Sequence, residues 1–199
     1  MVSIKSVATV AIAASTIVLA GCTSSATSEP EPGIETGTSG YVGATTTMTS
    51  NGVSYEYPSS WQLTETSGGT ETGNVIWNQN LAASATDFAG ISAYELNQEV
   101  NEANLGEAQD QFADTLNQLA AQANGAVTTP LQPEGTAGFP GLTGQLSVQT
   151  PTGQPVDSTI WVFFDGKTEY FINCQYQKAE QTQMLAGCGL IRDTFKVLS

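Results

Sequence analysis

The sequence predicts an α+β domain, an antiparallel sheet covered by helices. Three observations carry that prediction. Apolar residues alternate in several short stretches, one longer stretch repeats them at spacings of three and four, and the order is strands, helix, strand meander, helix.

Taken along the chain, Val53, Tyr55 and Tyr57 share one face of a strand that stops at Pro58, and Trp61 and Leu63 resume it. Val75 and Trp77, then Ile91, Ala93 and Glu95, mark two further strands. Leu105, Ala108, Phe112, Leu116, Leu119 and Ala123 form one apolar stripe, which predicts an amphipathic helix. Asn104 and Glu107 read as its capping pair and Asn124-Gly125 as its stop.

Beyond it, Leu142, Gly144, Leu146 and Val148 alternate, and "TPTG" turns the chain. Ile160, Val162 and Phe164 alternate with Thr159, Trp161 and Phe163, so this strand is apolar on both faces and belongs in the middle of the sheet. Asp165-Gly166 reads as a two-residue hairpin turn, after which Tyr170, Ile172, Cys174 and Tyr176 share a face. From Ala179 to Val197 the spacing becomes helical again, with Leu185, Cys188, Ile191 and Phe195 on the stripe.

The organisation ahead of this domain is equally legible. Residues 1–21 read as a lipoprotein signal peptide: Lys5 supplies a basic start, and an apolar run from Val7 ends in Leu19-Ala20-Gly21. That run is shorter than the roughly 20 apolar residues a membrane span needs. Leu19-Ala20-Gly21-Cys22 resembles the bacterial lipobox, whose cysteine thiol takes a diacylglyceryl group and becomes the first residue after cleavage. Two or more acyl chains hold a protein stably on a bilayer. The expected location is therefore the extracytoplasmic face of the cell membrane, anchored through Cys22. Residues 22–50 are dense in Thr, Ser, Gly and Pro without apolar periodicity, which predicts a disordered tether. Residues 51–199 form the single α+β domain, long enough to bury a core as a monomer.

Composition removes whole classes of function. The formal net charge is −14, from 19 acidic against 5 basic residues, which argues against a nucleic-acid partner. Anionic head groups would repel such a surface, so membrane attachment must come from lipid. The chain has no histidine, and with it go the commonest general base, the commonest zinc ligand and every Ser-His or Cys-His pair. No nucleophile elbow or phosphate loop appears. The reading is non-enzymatic, with no catalytic residues, no cofactor and no metal site. A hydrolase using carboxylates alone is the weakest alternative.

With Cys22 assigned to lipid, two cysteines remain, and an exported chain is expected to pair Cys174 with Cys188. Cys174 lies on the strand face of Ile172, and Cys188 on the apolar stripe of the last helix. Gly187 and Gly189 flank Cys188 at about 1 kcal/mol each relative to Ala in a helix. Their use there predicts close approach of helix to sheet. Glu107, Asp110 and Asp114 share a helical face whose spacing would suit Ca²⁺, but no calcium loop accompanies them and a solvated face fits better. Trp77, Trp161, Phe163 and Phe171 are the candidate lining of a groove for a small apolar ligand such as an acyl chain or glycolipid. Of these, Trp161, Phe163 and Phe171 are read as pointing away from the faces of Val162 and Ile172. A sheet covered on both faces would make them core instead.

Three short motifs carry a resemblance: "YEYPSSW" from Tyr55 to Trp61, "GFPG" from Gly138 to Gly141, and "RDTF" ending at Phe195. Together they resemble a Mog1/PsbP-like domain over Gly52 to Val197. With the lipobox and tether, they resemble more narrowly the actinobacterial LpqN/LpqT-type lipoproteins. The resemblance implies an αβα sandwich and a non-enzymatic role at the cell envelope, binding a protein or another envelope component. It supplies no catalytic residues.

Overall fold

A computed structural model describes residues 40–64, 74–136, 138–150 and 153–198; Cys22, the signal peptide and most of the tether lie outside them. The strands are β1 (Thr45–Ser50), β2 (Val53–Pro58), β3 (Gln62–Thr64), β4 (Val75–Ala82), β5 (Phe88–Glu95), β6 (Ala126–Pro133), β7 (Gly141–Gln149), β8 (Pro155–Asp165), β9 (Thr168–Tyr176) and β10 (Lys196–Val197). The helices are α1 (Leu105–Gln122) and α2 (Gln181–Thr194).

Seven strands form one antiparallel sheet in the order β3-β4-β5-β9-β8-β7-β6, and β1-β2-β10 form a second, smaller one. β8 and β9 sit inside the large sheet, and alternation sends their side chains to two separate cores. On one face Trp161, Phe163, Ile172 and Cys174 meet Met184, Cys188 and Ile191 of α2, together with Val53 and Tyr55 of the small sheet. On the other, Ile160, Val162, Phe164 and Phe171 join Leu142 and Leu146, with Leu116 of α1 packed over them. Each face of β8 therefore needs apolar residues, as the unbroken apolar run had predicted. The fold is the predicted α+β sandwich, with the small sheet sharing the α2 layer.

Several local details differ from the sequence reading. The domain starts earlier than residue 51: Thr45–Ser50 is a strand paired along its whole length with β2, inside the stretch assigned to the tether. The linking turn is Asn51-Gly52, both with positive φ, the backbone a two-residue type I′ hairpin demands. Trp61 and Leu63 do not continue β2. The chain turns at Pro58, where the Trp61 N–H donates to the Pro58 carbonyl at 2.9 Å, and β3 pairs with β4 of the large sheet. β6 goes unmarked by alternation because it is an edge strand holding Pro130 and Pro133, with most of its side chains in solvent.

Asn104 makes no side-chain cap to α1. Its Oδ1 accepts from the Asn101 N–H at 2.8 Å and its Nδ2 donates to the Glu99 carbonyl at 2.9 Å, so it organises the preceding loop instead. The Asn124-Gly125 stop holds: Asn124 takes φ +50°, and a Cβ on Gly125 would sit 2.0 Å from the Ser147 carbonyl oxygen. The β8–β9 turn lies one residue later than expected. Asp165 pairs with Thr168, leaving Gly166-Lys167 as the loop, with positive φ at Gly166. α2 ends at Thr194, and Phe195 is already extended, leading into β10.

Gly187 shows why α2 carries glycine. A Cβ there would lie 2.5 Å from the Trp61 ring and 2.9 Å from Pro58. Overpacking of this kind typically costs 1–3 kcal/mol, against about 1 kcal/mol gained in helix propensity. Gly187→Ala should therefore destabilise by up to about 2 kcal/mol net in urea unfolding. Equal or greater stability would mean that Trp61 is free to move aside.

Candidate functional site

Of the predicted site residues, the cysteines come together. Cys174 on β9 and Cys188 on α2 form a disulfide with Cα atoms 6.1 Å apart, and both are fully buried. The bond fixes the middle of α2 to the sheet at the point where Gly187 brings that helix against Trp61. Cys22 lies outside the described residues.

The aromatic candidates separate. Directly opposed residues of an antiparallel pair share a face. The register Trp161↔Ile172 thus puts Trp161 on the face of Ile172, and Val162↔Phe171 puts Phe171 on the face of Val162. Trp161 and Phe163 do point away from Val162, and Phe171 away from Ile172, as expected; the correction is that Val162 and Ile172 lie on opposite faces, so the three aromatics do not share one. Trp161 and Phe163 belong to the α2 core, with Trp77 partly buried against it, while Phe171 belongs to the α1 core. No common groove joins the four.

Phe163 is fully buried among Phe139, Tyr170 and Phe195, with ring centroids 6.4, 5.4 and 4.8 Å away. The guanidinium of Arg192, the only arginine in the chain, covers Trp161 at 5.4 Å from the ring centroid. Arg192 is itself held by Glu134 at 2.9 Å and Asp193 at 2.7 Å. These aromatics are structural.

A pocket opens elsewhere, where the edge of α1 leaves the sheet. Leu116 and Leu119 face Val148 and Phe171 across it, and Ser158, Asn173 and Gln175 supply polar groups. The Ser158 hydroxyl donates to Asn173 Oδ1 at 2.8 Å. The enclosed volume is about 20 Å³, comparable to the space for a single water and far below the roughly 300 Å³ of a small-molecule site. Glu107, Asp110 and Asp114 stand exposed on α1, and no acidic or thiol group of metal-binding geometry occurs among the described residues.

Among the described residues two carboxyl groups are buried, and they contrast sharply. Asp87 is satisfied: Oδ1 accepts from the Gln177 N–H at 2.7 Å, and Oδ2 accepts from the Ser84 and Thr86 hydroxyls. Glu169 on β9 is 1% exposed, and neither of its oxygens has a hydrogen-bond partner among the described residues. Its in-sheet neighbours are Tyr94 and Phe164. Burial pushes its carboxyl from 4.5 up to about 8. The sequence reading did not single out Glu169, although a signal existed. With Tyr170 and Ile172 on one face of a central strand, Glu169 falls on the other beside Phe171, where alternation buries it.

The fold has solved counterparts. The solution structure of cyanobacterial PsbP (CyanoP) from Synechocystis sp. PCC 6803 superposes with a TM-score of 0.57 at 12% identity, covering 79% of this chain and 94% of that one. A crystal structure from Bacteroides thetaiotaomicron VPI-5482 gives 0.50 at 13% identity, covering 74% of this chain; the chain spans 46% of that protein's length. No family model and no curated protein matches the chain. At these identities the likeness shows the fold, an α+β architecture of PsbP/Mog1-like type.

Proposed function

We propose that this chain is a lipid-anchored, non-enzymatic protein of the cell envelope, of the LpqN/LpqT-type, whose PsbP-like domain binds a protein or another envelope component on its surface. The anchoring half rests on Leu19-Ala20-Gly21-Cys22 at the end of an apolar run. The surface-binding half rests on one structural observation: among the described residues both faces of the large sheet carry a buried apolar cluster, with Phe163 fully buried, and the α1-edge pocket holds only about 20 Å³. Carriage of an acyl chain or glycolipid inside the domain, the competing reading, would need more than ten times that room. No helix among the described residues is long and apolar enough to cross a membrane; in this reading the attachment is made by Cys22 and its acyl groups.

Anchoring is tested by fractionating cells that express the full chain or Cys22→Ala. The expected result is wild type in the membrane fraction, carrying label from an alkyne fatty acid, and the variant unlabelled and released. Unlabelled wild type would overturn the anchor. Partner binding is tested by crosslinking the anchored protein in intact cells and identifying what is captured. A single dominant envelope protein or glycan supports the surface reading. Stoichiometric lipid extracted from the purified domain would replace it with carriage.

A further inference from the structure

Glu169 lies at the hairpin end of the α1 face, and the segment from residue 96 to residue 104 passes over that end of the sheet. Two backbone hydrogen bonds join the segment to the hairpin: Leu96 N–H to the Lys167 carbonyl at 2.7 Å, and Val100 N–H to the Gly166 carbonyl at 2.9 Å. Leu96 and Val100 pack into the same apolar cluster as Tyr94 and Phe164, the two in-sheet neighbours of Glu169. At its far end the Asn104 carbonyl accepts from the Glu107 and Ala108 N–H groups of α1, and within the segment the side chains of Asn104 and Asn101 make local bonds. The Asn104 side chain ties Asn101 and Glu99, and Asn101 Oδ1 accepts from the Ala103 N–H at 3.0 Å. A loop that holds its own shape through two asparagines, and its place through two backbone bonds and the packing of Leu96 and Val100, can lift as a unit.

We propose that Glu169 is a protonation latch: with its carboxyl protonated the 96–104 segment stays closed on the sheet, and ionisation of the carboxyl lifts the segment so that water reaches the charge. The alternative, keeping a carboxylate sealed without a hydrogen bond, costs more than giving up two backbone bonds and the contacts of Leu96 and Val100. Nothing nearby compensates the charge. The titratable groups on the surrounding elements are Tyr94 on β5, Glu95 at its end, Glu99 and Glu102 in the segment, Glu107, Asp110 and Asp114 on α1, and Asp165 and Lys167 in the hairpin. All except Tyr94 are exposed, and Lys167 is the only cation among them. The carboxylates of the loop therefore repel the new charge and favour the open form.

The sign and the window follow from linkage. With the closed form titrating near 8 and a solvated glutamate at 4.5, the closed form holds a proton that the open form has released anywhere between. Opening becomes more favourable as pH rises through that window, by up to about tenfold per pH unit, and levels off above it.

The test is amide hydrogen exchange on the intact chain, corrected for intrinsic rates, between pH 5 and pH 9. In wild type, protection at Leu96 and Val100 should fall by up to about tenfold per unit to pH 8 and then flatten, while Val162 at the centre of β8 stays protected. Glu169→Gln and Glu169→Leu, each checked for folding by circular dichroism, should give protection at Leu96 and Val100 that does not depend on pH. The latch is overturned if wild-type protection there is flat, if either variant keeps the wild-type slope, or if Val162 loses protection in step with Val100. A carboxyl-carbon NMR titration of Glu169 in the wild type gives a second readout, and a midpoint near 4.5 would likewise overturn it.

Discussion

Phe163→Ala is expected to cost about 3–5 kcal/mol of stability. Phe163 is 0% exposed and touches the rings of Phe139, Tyr170 and Phe195, which come from the loop before β7, from β9 and from the end of α2. The cavity would lie where these elements meet Tyr55, whose ring stacks on Phe195 at 6.0 Å, so neighbours held from four directions have little freedom to close it. Urea unfolding followed by fluorescence gives the number. A loss below 1 kcal/mol, with altered binding of an apolar probe, would return Phe163 to the status of a ligand contact.

The second large effect concerns the disulfide. Cys174 and Cys188 are 14 residues apart, closing a loop of the size for which the chain-entropy account gives about 3 kcal/mol. Cys174→Ala with Cys188→Ala should therefore lower stability by about that much, plus a contribution from truncating two fully buried side chains. The effect should concentrate in α2, which the bond fixes to β9. Mass spectrometry of the native chain should find both sulfurs resistant to alkylation until a reductant is added. Alkylation of both without reduction would contradict the bond.

The parts of this fold readable from sequence were those governed by periodicity. α1, β7, β8 and β9 each carry an uninterrupted stripe or alternation; the pairing of Cys174 with Cys188 was expected because these were the two cysteines left, each lying on a buried stripe. What escaped was decided by neighbours instead of pattern. β1 is mostly threonine and exposed, so no apolar face announces it; its signal was the Asn51-Gly52 turn that pairs it to β2. β6 hides behind two prolines tolerated only because it is an edge. The aromatic candidates were grouped on one side because alternation within a single strand does not say which residues of its neighbour share a face; the pairings Trp161↔Ile172 and Val162↔Phe171 put them on two. Glu169 was overlooked because a polar letter in a strand is usually solvent-facing, and only the two-sided burial of β9 makes it exceptional.

The placement of β1 also has a mechanical consequence. Tension transmitted from the chain before Gly40 enters the domain at Thr45, which pairs with Pro58 at the open end of the β1–β2 hairpin, opposite the Asn51-Gly52 turn. From that end the interstrand bonds are loaded one after another, as in a zipper, and not shared as in a strand pulled lengthwise against its neighbour. β1 should therefore peel at low force. The remainder would resist, because β2 stays attached to β10 on its other edge and Leu198 bonds back to the Gly52 carbonyl at 2.8 Å. Of β1, only Met48 packs against the core, so its release frees six residues of chain while most of both apolar clusters stays in place.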